Sequence, residues 1–220
     1  KYFPDVILWG YDSSSLSLKK IINDKNLINL TDSIESILSL ISQDQRFEQI
    51  IVSTRGPAYV NGNIEGRPTL DKVKAILEYQ YPVNKENMTY EKFSMGFKNL
   101  LARLSSFHHV KKINYLLENP ELYFLPKELV LRPFDIFNFT TKQYKIDKQL
   151  HLLRMSKYLN IVETVVSRYP KTKIIDLSKH LCQKKSCFFQ YENNFLYVDK
   201  HHLSAFASHF LSKRIANDLF

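Results

Sequence analysis

The chain is expected to be an α/β protein, with a parallel sheet covered on both faces by helices. Three observations lead there. Short apolar runs at residues 5–10 (DVILWG), 50–53 (IIVS) and 173–177 (KIIDL) show little polar alternation, as in strands buried on both sides. Longer segments between them carry apolar residues at helical spacing. The two kinds alternate along the chain, which is the pattern of helical crossovers between parallel strands.

The first run leads into Gly10-Tyr11-Asp12-Ser13-Ser14-Ser15. A strand ending in glycine and small hydroxyl residues is where an α/β sheet places its ligand chemistry, at the carboxyl edge. Asp12, Ser13 and Ser14 are also good caps for a short helix over residues 15–25. Thr31 or Asp32 caps the next helix, whose stripe is Ile34, Ile37, Leu38 and Ile41. The strand at 50–53 ends in Thr54-Arg55-Gly56-Pro57, and Gly62, Gly66 and Pro68 mark the following loop as irregular.

Phe93, Phe97, Leu100, Leu101 and Leu104 predict a helix over residues 90–104. His108 and His109 precede the next strand, at the sheet edge away from the expected site, and read as solvated. That strand ends in Glu118-Asn119-Pro120-Glu121. A polar connection from Arg132 to Gln149 leads to a helix over 150–168. After the strand at 173–177 and a cysteine-bearing loop, a short apolar piece covers 195–198. Leu203, Phe206, Ala207, Phe210, Leu211 and Ile215 then mark a closing helix.

With 220 residues, 44% of them hydrophobic, the chain suffices for one sizeable core. No repeat, low-complexity tract or linker divides it, so residues 1–220 are read as one domain. No segment approaches the ~20 apolar residues that cross a bilayer, and the N-terminus lacks a signal-peptide pattern. The abrupt start, one step before a strand, reads as part of a larger protein. A net charge of +9 points to acidic partners, anionic lipid or glycan among them, or simply to abundant lysine. No Arg-rich cluster or RNA-binding signature supports nucleic acid as a partner. Cys182 and Cys187 are the two cysteines. They lack Cys-x-x-Cys spacing and are not a set of four, so zinc is not expected; no cofactor or other metal enters the reading. A close pair in a polar loop is either a small disulfide or two free thiols.

The most chemical stretch is Leu196-Tyr197-Val198-Asp199-Lys200-His201-His202-Leu203-Ser204. An Asp at the end of an apolar run, with a His three positions on, can hold the imidazole Nδ1–H and leave Nε2 to take a proton from a hydroxyl. His201, one residue off, should point elsewhere.

Four blocks together give a resemblance: IIVSTRGPAY (50–59), YLLENPE (115–121), DLSKHLCQKKSC (176–187) and LYVDKHHLS (196–204). The chain resembles the SGNH hydrolase-like domain fused to the C-terminus of acyltransferase family 3 proteins, the bacterial cell-envelope O-acetyltransferases. The resemblance implies a flavodoxin-like three-layer α/β/α sandwich and a Cys182–Cys187 disulfide. It also implies a periplasmic or extracytoplasmic setting beside an upstream membrane acyltransferase domain. Function would be O-acyl transfer to, or ester hydrolysis from, a cell-envelope glycan, between an acyl donor and a glycan acceptor.

In this reading Asp199 is the orienting acid and His202 the general base. The family's Gly-Asp-Ser-His turn meets Gly10-Tyr11-Asp12-Ser13 here. Counting Tyr11 as an insertion makes Ser13 the nucleophile; the other alignment leaves that turn absent between Gly10 and Tyr11. Gly10, Arg55 and Gly56 are the oxyanion candidates, since no Gly-x-Asn-Asp block is present. Asn119 and Glu121 are expected to line the acceptor side. The competing reading is a non-catalytic glycan-binding or docking module on a degenerate version of the same fold.

Overall fold

The structure, a computed structural model, describes residues 10–12, 17–19, 31–54, 56–57, 90–126 and 146–219. In chain order, Gly10–Asp12 (β1) and Ser17–Lys19 (β2) precede Thr31–Gln43 (α1) and Gln49–Ser53 (β3). Tyr90–Ser106 (α2) leads to Lys112–Leu116 (β4). Ile146–Asp147 (β5) runs directly into Lys148–Val166 (α3), followed by Thr172–Ile175 (β6) and Ser178–Leu181 (α4). Three short strands, Ser186–Cys187 (β7), Gln190–Tyr191 (β8) and Asn194–Phe195 (β9), precede the closing helix Ala205–Leu219 (α5).

The main sheet has the order β3-β4-β6, all parallel. Ile50 lies opposite Ile113 and Val52 opposite Tyr115, while Tyr115 also lies opposite Ile174 and Leu116 opposite Ile175. Strand side chains alternate between faces, and the two faces bury different cores. Ile113, Tyr115 and Ile174 pack with Leu38 of α1, Leu101 of α2 and Val162 of α3. Leu116 and Ile175 pack with Phe210, Leu211 and Ile215 of α5. Helices therefore cover both faces, which makes the three-layer α/β/α sandwich.

Helix ends follow ordinary capping chemistry. Asp147 accepts hydrogen bonds from the Gln149 and Leu150 backbone at 2.8 and 3.4 Å, which starts α3 two residues earlier than the apolar stripe suggests. Lys171 Nζ donates to the carbonyls of Ser105 and Phe107 at the end of α2. At the end of α5 the Leu219 carbonyl accepts from Lys112 Nζ at 2.7 Å.

The structure corrects two expectations. Residues 17–19, expected within a short helix, form β2 and pair antiparallel with β1 in the register Gly10↔Lys19 to Asp12↔Ser17. Ser17-Leu18-Lys19 has the polar-apolar-polar period of a strand, and it wins over the capping signal upstream. Gly10 therefore sits inside an antiparallel strand rather than closing a parallel one; residues 5–9 lie outside the described residues. The second correction is His109, which is buried rather than solvated. Its Nε2 donates to the Ile41 carbonyl at 2.8 Å, supplying the partner that the last turn of α1 lacks. His108 is exposed, as expected.

Candidate active site

The carboxyl edge of the sheet gathers three segments: Thr54 and Gly56 after β3, residues 117–124 after β4, and residues 196–204 before α5. The last folds back on itself. Val198 N–H donates to the His202 carbonyl at 3.0 Å and Ser204 N–H to the Leu196 carbonyl at 2.9 Å. Ser204 Oγ then accepts from Ala207 N–H at 3.1 Å and caps α5. Asp199 sits at the tip of this loop because its carboxylate closes it. Oδ1 accepts the backbone N–H of His201 at 2.8 Å and of His202 at 2.7 Å, the hydrogen bonding of an Asx turn.

The other oxygen, Asp199 Oδ2, lies 2.6 Å from His202 Nδ1. Burial pushes the Asp199 carboxyl up. The His202 ring and the two backbone N–H groups outweigh that and hold it well below the usual carboxylate range. An ionised carboxylate can only accept, so Nδ1 carries a proton, and in the neutral form of the ring Nε2 presents its lone pair. The His202 side chain is 62% exposed, so that lone pair is reachable from solvent.

This loop is fastened to the segment after β4 at three points. Tyr197 O–H donates to the Pro120 carbonyl at 2.7 Å. Asn119 Nδ2 donates to the His201 carbonyl at 3.2 Å. Leu122 N–H donates to the Lys200 carbonyl at 2.6 Å. Beneath lies a buried ion cluster: Arg154 Nη1 is 3.4 Å from Glu118 Oε2 and Nη2 is 3.2 Å from Glu121 Oε1. His151, one turn before Arg154, is pushed down to about 4 by burial and by the Arg154 charge, against the pull of Asp176.

On the other side, Thr54 Oγ1 and the Tyr158 hydroxyl each sit 2.5 Å from the Tyr115 hydroxyl. Burial carries the Tyr115 hydroxyl up to about 12 despite hydrogen bonds to Thr54 and Tyr158, so it stays protonated. Gly56 rests on the Tyr158 ring: a Cβ at 56 would lie 1.9 Å from that ring. Only glycine allows this approach.

The expected residues are distributed as follows. Asp199 and His202 meet as the spacing suggested. Asn119 stands beside them through the His201 carbonyl, and Gly56 is buried at the end of β3. Glu121 is buried and ion-paired rather than displayed to solvent. Ser13 and Arg55 lie outside the described residues, and Gly10 is in β1. Cys182 and Cys187 form a disulfide. Sequence reasoning missed Tyr197 and Arg154. The signal for Arg154 was available: it occupies the same apolar stripe as Met155, Tyr158, Val162 and Val165, where an arginine must find carboxylates. Among the described residues, Asp199, His201 and His202 also bring donor atoms within 4.8 Å of one another.

A sheet of this order carrying an Asp-x-x-His couple beyond its last strand is the architecture of an SGNH-type α/β/α domain. The family model for the SGNH domain fused to AT3 domains matches residues 4–217, and the chain belongs to that family. Among solved structures, it is similar to the periplasmic domain of a lipopolysaccharide acetyltransferase from Salmonella ser. Paratyphi A, with TM-score 0.51 and 16% identity. The match covers 84% of this chain and 60% of that one. No curated protein sequence matches the chain significantly. Among the described residues, no helix is long and apolar enough to cross a membrane.

Proposed function

We propose that the chain carries out O-acyl transfer to, or ester hydrolysis from, a cell-envelope glycan. The observation behind this is the 2.6 Å contact between His202 Nδ1 and Asp199 Oδ2 on an exposed ring, in a family of SGNH domains. Asp199 orients the ring. His202 Nε2 removes the proton from a serine hydroxyl, for which Ser13 is the candidate, as that oxygen attacks the acyl carbonyl. The imidazolium then returns the proton to the departing alcohol. In the second half, His202 deprotonates the acceptor hydroxyl as it attacks the acyl carbonyl, and the imidazolium returns that proton to the departing serine oxygen. The oxyanion needs a donor such as the Gly10 or Gly56 backbone N–H or the Arg55 guanidinium, worth about 3–4 kcal/mol in the transition state.

Acetyl as the acyl group, an envelope glycan as acceptor and a periplasmic setting are supported by the name of the similar Salmonella domain. A membrane AT3 domain in the same polypeptide, as the source of the acyl group, is supported by the family's description. The test is hydrolysis of para-nitrophenyl acetate by the chain and by His202→Ala, with a serine-directed phosphonate to label the nucleophile. The reading expects turnover that His202→Ala abolishes and a label on Ser13. Equal turnover in the variant refutes the role of His202. Glycan binding with neither turnover nor labelling indicates a docking module instead.

A further inference from the structure

We propose that Asp199, His201 and His202 form a site for a divalent metal ion of the zinc type, and that its occupation switches the His202 base off. The binding stands on geometry alone; the switching rests on the acyl-chemistry reading above. One donor atom from each of the three residues lies within 4.8 Å of the other two. His202 Nδ1 is 2.6 Å from Asp199 Oδ2 and His201 Nδ1 is 3.9 Å from Asp199 Oδ1. Donors bound at zinc's usual ~2.0–2.2 Å in a tetrahedron sit about 3.3 Å apart. The His202–Asp199 pair therefore opens by less than about 1 Å, and the remaining pairs, all within 4.8 Å, close by up to about 1.5 Å to hold an ion. The two rings already lie together, with centroids 4.2 Å apart.

The donor set fits this class of ion. Two imidazoles and a carboxylate suit zinc and its neighbours rather than calcium or magnesium, which prefer oxygen. Asp199 and His202 are 38% and 62% exposed, so the ion arrives from solvent and keeps water as its fourth ligand. Both cysteines of the chain are in the disulfide, so no thiolate competes.

The consequence for chemistry follows from which nitrogen holds the proton. Without metal, Nδ1–H faces Asp199 and the Nε2 lone pair is open. A metal on Nδ1 uses that nitrogen's lone pair, and the neutral ring must then carry its proton on Nε2. The proton moves from Nδ1 to Nε2 through solvent, with none gained or lost by the ring. A ring protonated at Nε2 cannot take a proton from a hydroxyl. The same nitrogen that orients the base thus disables it when a metal replaces the proton.

The test is a titration of chelator-treated chain with zinc alone, followed by calorimetry and by the ¹⁵N signals of the histidine rings. One zinc per chain is expected, weakened at least about tenfold in His201→Gln, as befits loss of one ligand, and weakened likewise in His202→Gln. The Nε2 signal of His202 should move from the unprotonated to the protonated range at saturation. Hydrolysis of para-nitrophenyl acetate should fall with the same midpoint and recover with EDTA. His201→Gln should hydrolyse the ester normally without zinc and resist its addition. Absence of stoichiometric binding, binding indifferent to His201→Gln, or an unmoved His202 signal at saturation would overturn the proposal. Intact His201-dependent binding in a chain without any ester turnover would uphold the site and count against the acyl reading instead.

Discussion

Two ionic clusters share one edge of the sheet, and they differ in nearly everything but charge. Arg154 with Glu118 and Glu121 is sealed, the three side chains being 3%, 4% and 6% exposed. Asp199 with His202 is open, at 38% and 62%. In the sealed cluster the charges have been removed from water, so they persist only because each faces its partner. Such a group cannot exchange protons with a substrate, but it fixes the segment after β4 against α3. In the open cluster the couple is made of local hydrogen bonds within four consecutive residues, and solvent reaches the ring. Burial thus separates a sealed brace from a couple open to solvent, and the three hydrogen bonds between residues 119–122 and 197–201 join the one to the other.

That contrast can be broken by mutation, and the largest effect on stability is expected on the sealed side. Arg154→Met removes the cation that both glutamates contact and should cost about 3–5 kcal/mol in urea unfolding. A loss below about 1 kcal/mol would mean that the cluster is not the brace. The next effect is on pH dependence. His151 is held at about 4 in the folded protein, against about 6.5 unfolded. Between those values the unfolded chain binds more protons, so stability is full above pH ~6.5 and declines as pH falls to about 4. The decline attributable to this ring is roughly 3 kcal/mol, and His151→Leu should flatten it in denaturant titrations at successive pH values. Reduction of the Cys182–Cys187 disulfide closes the series on the structural side, with a loss of about 2 kcal/mol for so short a loop, read as a shifted urea midpoint. On the open side, Asp199→Asn should change stability by less than about 1 kcal/mol. The same substitution should lower ester turnover by as much as about 10⁴-fold, because the ring loses the partner that sets its tautomer. A large stability loss there would erase the distinction between the two clusters.

Much of this arrangement was legible in the sequence. Short continuous apolar runs and helical spacing located β3, β4, β6 and the long helices, because those patterns report burial directly. The Asp-x-x-His couple was legible because its geometry is local: three residues and one loop decide it. Arg154 and Glu121 were harder, since the partners lie on different elements and only the folded sheet edge brings them together. His109 was misread for a related reason, its acceptor being the carbonyl of Ile41 in α1, distant in the chain. Residues 17–19 misled because a strong cap signal preceded a segment that alternates like a strand.

The Asp199–His202 loop is reached through a tight reversal. The strands β8 and β9 join through Glu192 and Asn193, with φ of 47° and 61°, and Asp199 follows only four residues after β9 ends. Two left-handed residues in a two-residue connection are the signature of a type I′ reversal, which asparagine and glycine adopt far more readily than glutamate. Glu192 therefore holds a conformation its own chemistry disfavours. Rewriting the pair as Glu192→Asn with Asn193→Gly would match the residue types this reversal favours, without touching Asp199 or His202.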